Sequence, residues 1–160
     1  MNYLGDIMYA GTVNILVDST FLLPLVGVKV IGLPENPIET MISLGFNIKI
    51  NEISLFEAIG KAVREAERTH NKQTIMKRIE IGVKSLLLDT TIERFPVCEV
   101  ETINTAIKLH ENGLDDLPNC FIAATATHHT GLLLTESEDV KPATQKAHIS
   151  LKVIKWKDLK

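Results

Sequence analysis

Seven acidic residues stand where chain elements end or begin, and acids so placed can bind a hard cation. Asp18 follows the apolar run Ile15-Leu16-Val17 directly. A carboxylate at the carboxyl end of a central parallel strand points into the crevice where α/β folds bind ligands. Glu57 lies in the first turn of a helix that follows a second strand. Asp115 and Asp116 precede the helix marked by Pro118, and Glu136, Glu138 and Asp139 follow the strand Leu132-Leu133-Leu134. In a parallel sheet, strand ends and helix starts share one edge, so these groups can converge there. Oxygen ligands without thiolates or paired imidazoles suit Mg²⁺ or Mn²⁺. Such ions clamp phosphate oxygens and activate water for in-line displacement.

The elements that must position these acids can be read from spacing. Ile15 to Val17 form a continuous apolar run, as expected of a strand buried on both faces. Ser19 or Thr20 is expected to cap a short helix reaching Val26, and Gly27 to Asn36 reads as a loop. Pro37 opens a helix that Gly45 stops. Phe46 to Ile50 alternates apolar and polar residues, a half-exposed strand. Ser54 and Glu57 have capping-box spacing and open a helix reaching about Thr69. Ile75, Ile79, Val83, Leu86 and Leu87 mark the next helix, which Gly82 should weaken. Phe95 to Cys98 is expected to be a strand. A helix with Ile103, Ala106, Ile107 and His110 on one side follows and ends at Gly113, and another runs from Asn119 to His129. Leu132 to Leu134 is a second buried strand, and the alternation of Ile149, Leu151 and Val153 suggests a final strand at an edge.

Strands alternating with helices imply a three-layer α/β/α domain around a central, mainly parallel sheet. A single domain over residues 1–160 is expected, with residues 1–12 as an N-terminal extension of no assigned structure.

The same residues have plainer readings. Glu57 is also explained as the capping partner of Ser54. Asp115 and Asp116 suit the positive end of a helix dipole, and His128 and His129 the negative end. Lys152, Lys155, Lys157 and Lys160 around Trp156 could face RNA, with the indole as a stacking platform. Equally, they could guard an edge strand against pairing.

At 160 residues, 45% hydrophobic and 23% charged, with a net charge of -3, the chain has no global basic field for nucleic acid. Its two cysteines, Cys98 and Cys120, are too few for a disulfide framework and read as reduced interior thiols. The amino terminus does not have the pattern of a secretory leader. No apolar run approaches the ~20 residues of a membrane span. A cytoplasmic protein with no membrane association is expected.

In sequence order, Ile-Leu-Val-Asp18-Ser-Thr, Ile-Ser-Leu-Phe-Glu57, Asn119-Cys-Phe-Ile-Ala-Ala-Thr-Ala126 and Gly131-Leu-Leu-Leu-Thr135-Glu-Ser-Glu-Asp139 resemble the PIN-domain nucleases. That group includes the VapC-type toxins and ribosomal-RNA processing enzymes. The resemblance runs from Asn14 onward. It implies a Mg²⁺- or Mn²⁺-dependent endoribonuclease acting on single-stranded RNA, a homodimer, and an antitoxin-like protein partner. It also implies that Asp18 and Glu57 are the first two acids of the site. The third acid stands in the family where this chain has Asn119, and the fourth where it has Ser137. Asp139 matches a further acid of many members. The expected site is therefore Asp18, Glu57 and Asp139 as catalytic and metal-binding groups, with Asn119 as a metal ligand. Asp116 and Ser137 are auxiliaries.

Two functions follow from this pattern. One is an endoribonuclease, toxin-like in kind. The other is a PIN scaffold that has lost its chemistry at Asn119 and Ser137 and binds RNA or protein. An unrelated α/β phosphate-binding domain is a third reading, but it lacks a glycine-rich phosphate loop.

Overall fold

Ile15, Leu16 and Val17 have no exposed surface, which requires helices on both faces of their strand. The computed structural model describes residues 12–159, so all but Thr12 of the expected N-terminal extension lies outside the described residues. Five parallel strands are ordered β3-β2-β1-β4-β5: β1 Val13–Val17, β2 Phe46–Asn51, β3 Glu93–Phe95, β4 Leu132–Leu134 and β5 Lys152–Ile154. The sheet is thus wholly parallel. Its helices are α1 Pro37–Ser43, α2 Glu52–Glu67, α3 Lys72–Leu88, α4 Val100–Glu111, α5 Leu117–His129 and α6 Val140–Lys146.

Strand alternation divides the core into two layers. Ile15, Val17, Ile48, Ile50 and Leu134 pack with Met41, Ala58, Ala62, Ile79 and Leu86 from α1, α2 and α3. Leu16 and Leu133 pack on the other side with Ala106, Leu109, Ile122, Ala123 and Ala143 from α4, α5 and α6. This is the expected α/β/α sandwich. Among the described residues, no helix is long and apolar enough to cross a membrane.

Several local expectations give way to packing. Asp18, rather than Ser19 or Thr20, caps the turn after β1, accepting a hydrogen bond from the Thr20 amide at 2.8 Å. Two 3-10 turns, Ser19–Phe21 and Pro24–Val26, replace the short helix, because Pro24 has no N–H to continue it. The chain passes from β2 into α2 without a loop. Asn51 therefore caps that helix, its Oδ1 accepting from the Ile53 amide at 2.7 Å, and the capping box of Ser54 and Glu57 does not form. Strand β3 ends at Phe95 since Pro96 cannot donate to a ladder.

Helix α4 buries Thr102, Ala106 and Leu109, leaving Ile107 exposed. Gly82 is a contact rather than a weak point, because a Cβ there would overlap the backbone carbonyl of Leu25. Trp156 is buried and stacks on Phe21 with centroids 5.9 Å apart, so it is not an RNA-stacking platform. Lys155 pairs with Glu138, and Lys160 lies outside the described residues. Cys98 is exposed, contrary to expectation. Cys120 is buried, and burial pushes its thiol up to about 11.

Candidate functional site

From β1 the sheet grows through β2 to β3 on one side and through β4 to β5 on the other. The gap beyond the ends of β1 and β4 is therefore the topological switch point, where open α/β sheets bind ligands. Val17 pairs with Leu134, so the residues that follow, Asp18 and Thr135, leave the sheet side by side. The Asp18 amide still donates to the Leu134 carbonyl at 3.2 Å.

Asp18 is 4% exposed. Its Oδ1 holds the Thr20 amide, and its Oδ2 accepts from the Thr135 hydroxyl. The Thr135 Oγ1 also accepts from the Ser137 amide at 3.1 Å, which fixes the loop beyond β4 to the same carboxylate. Burial pushes the Asp18 carboxyl above its ordinary value. The Thr135 hydroxyl, the Thr20 amide and hydroxyl, and the charge of Lys61 all oppose that rise without cancelling it.

Glu57, on α2, is linked to this strand end through Lys61. Its Oε1 pairs with Lys61 Nζ at 2.7 Å, and that ammonium donates to Ser19 Oγ at 3.1 Å. Asp18 and Glu57 thus lie in the field of one lysine. Ser54, inside α2, donates to the Val17 carbonyl at 3.4 Å and ties this helix to the end of β1. The second carboxylate oxygen, Glu57 Oε2, is buried with no hydrogen-bond partner. Such an atom is costly unless something charged or protic comes to it.

The side chains of the remaining expected residues make no hydrogen bond to either carboxylate. Asp116 caps α5, its Oδ1 accepting from the Asn119 amide at 2.9 Å, which is the structural role its plainer reading assigned. Asn119 is half-buried in the first turn of that helix. No hydrogen bond joins its side chain to Asp18 or Glu57. Ser137 enters through its backbone amide alone. Asp139 is exposed just before α6, and its side chain makes no capping bond. Glu136 accepts from the Trp156 amide at 2.9 Å, and Glu138 holds Lys155. His129 pairs with Glu99 at 2.7 Å and stacks on Phe95, while His128 meets Thr105 at 2.8 Å. Among the described residues, no group of three or more His, Cys, Asp or Glu could hold a metal ion.

Two carboxylates are still enough to fit a hydrated ion. Mg²⁺ keeps several waters and commonly takes one or two carboxylates together with substrate phosphate oxygens. The orphaned Glu57 Oε2, on a side chain paired with the lysine whose charge reaches the buried Asp18, is the feature that suits it.

Lys61 and Thr135 were missed as site residues. Lys61 follows Glu57 at i+4, a spacing that by itself marks only a pair on a helix surface. Thr135 follows β4 as Asp18 follows β1, a symmetry that would have marked it once the two strands were known to be neighbours.

These features define a class: a three-layer α/β domain of PIN-like fold with acids at its switch point. The chain is similar in structure to VapBC2 from Rickettsia felis, solved bound to a DNA fragment from their promoter, at a TM-score of 0.57 and 11% identity, over 89% of this chain and 98% of that one. It is also similar to FitAcB from Neisseria gonorrhoeae, at 0.52 and 17%, over 86% and 96%. A toxin-antitoxin complex from Klebsiella pneumoniae matches at 0.48 and 19%, over 78% and 88%. No family model matches the chain, and no curated protein matches its sequence.

Proposed function

We propose that this chain is a toxin-like, divalent-metal-dependent endoribonuclease of PIN type in which Asp18 and Glu57 hold a single Mg²⁺ or Mn²⁺. The observation that supports the reading is Lys61 at the switch point, which pairs with Glu57, donates to Ser19 and acts through its charge on the buried Asp18. When bound, such an ion polarises a phosphodiester and supplies an activated water. The chain's own groups do the rest. Thr135 and the Thr20 amide hold Asp18 in one orientation, and Ser137 is fixed beside it through Thr135. Asn119 is a neutral oxygen donor at the expected third position, and Asp139 is an exposed acid on the loop that RNA would approach. With only two acids converging, ligand charge is low and ion affinity should be weak.

The likeness to VapBC2 and FitAcB supports an antitoxin-like protein partner, and the reading includes a cytoplasmic homodimer. Further support for a protein partner is an apolar groove of about 660 Å³ away from the acids, between α1 and α3. It is edged by the exposed Ile42 and Ile81.

The test is cleavage of single-stranded RNA with Mn²⁺. Slow cleavage is expected, abolished by chelator and by Asp18→Asn. Turnover that survives Asp18→Asn in a clean preparation would refute the assignment.

A second reading is favoured by Asn119 and Ser137 at acid positions and by the lack of a three-acid group. In it the domain binds RNA or protein without cleaving. RNA binding would then persist in chelator, with no turnover under any divalent ion.

A further inference from the structure

A glutamate and a lysine one helical turn apart ordinarily form a solvated pair, as Glu80 and Lys84 do on α3. Glu57 and Lys61 differ. The Lys61 ammonium also makes a tertiary bond to Ser19, 42 residues earlier in the chain, and its charge reaches the buried Asp18. Its nitrogen therefore stands among the oxygens that a hard cation would take.

We propose that Lys61 is a built-in competitor of the divalent ion, holding the site closed until it withdraws. This rests on the reading of Asp18 and Glu57 as ligands. An ammonium and a divalent ion a few ångströms apart repel, and here they seek the same lone pairs. Withdrawal is sterically open: the Lys61 side chain is 38% exposed, and its four-carbon stem lets the charged end move into water. Its departure frees Glu57 Oε1 and Ser19 Oγ, which join the already unpartnered Glu57 Oε2. The site is then loaded by exchange of one cation for another. Its apparent affinity is lower than its oxygens alone would give.

The test is Mn²⁺ binding to the full chain without RNA, read by electron paramagnetic resonance of the free ion. Lys61→Met should bind Mn²⁺ at least about tenfold more tightly than the parent, since one competing charge is gone. Lys61→Arg should stay within about threefold of the parent, because the charge is kept. Lys61→Gln should follow Lys61→Met and serves in its place if that variant is misfolded by circular dichroism. Adding Asp18→Asn to Lys61→Met should cancel the gain. Unchanged affinity in both neutral variants, with weakened binding in Asp18→Asn alone, would overturn the competitor role and leave the ligand reading standing. Binding indifferent to Asp18→Asn in every background would instead overturn the ligand reading itself.

Discussion

Asp18→Asn separates the burden of a buried carboxylate from the benefit proposed for it. In the native protein Asp18 is buried, and its carboxyl holds its proton to a higher pH than an ordinary aspartate because desolvation outweighs its hydrogen bonds and the field of Lys61. The native state therefore binds more protons than the unfolded chain over a window that opens near the ordinary value of 3.8 and closes above the raised one. Stability attributable to this group falls as pH rises through that window.

Asparagine keeps one contact and reverses the other: its Oδ1 can accept from the Thr20 amide, and its Nδ2 can donate to Thr135 Oγ1, whose hydroxyl proton then turns to another acceptor. What is lost is the charge assistance of two bonds and an attraction to a partly exposed lysine, about 1 kcal/mol each or less. The direction of the carboxyl shift says that desolvation exceeds their sum. In chelator at pH 7, Asp18→Asn should therefore be more stable than the parent by about 1 kcal/mol, the size of a typical buried-group effect. That is a rise of roughly 2–4 °C in Tm for a chain of this length. The gain should vanish toward pH 3.8, where Asp18 is largely neutral. Saturating Mn²⁺ should reverse the order, since an ion at 100 times its Kd stabilises only the protein that binds it, by about 2.7 kcal/mol. Calorimetry from pH 4 to 8, with chelator and with Mn²⁺, measures all of this. A variant less stable than the parent in chelator at pH 7, or a difference independent of pH, would refute the reasoning.

Thr135→Val removes the hydroxyl that donates to Asp18 and accepts from Ser137. It should destabilise by about 1–3 kcal/mol in urea denaturation, because a buried carboxylate oxygen loses its partner. Gly82→Ala would raise stability by about 1 kcal/mol were the glycine merely a poor helix former. The overlap with the Leu25 carbonyl reverses that sign, and a loss of about 1–3 kcal/mol is expected in the same assay. A thiol reagent at neutral pH should label Cys98 quickly and Cys120 only on unfolding, since Cys120 is buried with its thiol raised to about 11. Labelling of both at one rate would contradict the packing of α5. Asn119→Asp combined with Ser137→Asp should create or raise RNA cleavage by restoring ligand charge. No change in cleavage or in Mn²⁺ affinity would count against a merely depleted acidic site.

The apolar runs and their breaks carried the architecture, because burial on both faces of a parallel sheet leaves a mark in every strand. Ile15 to Val17 and Leu132 to Leu134 read as buried before any packing was known, and the alternation over Phe46 to Ile50 gave β2. Asp18 was legible for the same reason, as the first polar residue after such a run. Local patterns failed where two partners competed for one role. Ser54 and Glu57 have the spacing of a capping box, yet Asn51 was nearer the end of β2 and took the cap. That left Glu57 free to face Lys61. Trp156 looked like a surface aromatic among lysines, but Phe21 lay opposite to bury it.

Strand order lay beyond the reach of sequence. Only the placement of β4 against β1 brings Thr135 to Asp18, and only the packing of α2 beside the end of β1 brings Lys61 to Ser19. Those contacts join residues 117 and 42 positions apart. Chain composition fixes which groups can carry charge, whereas long-range packing decides which of them share a low-dielectric space and so feel one another.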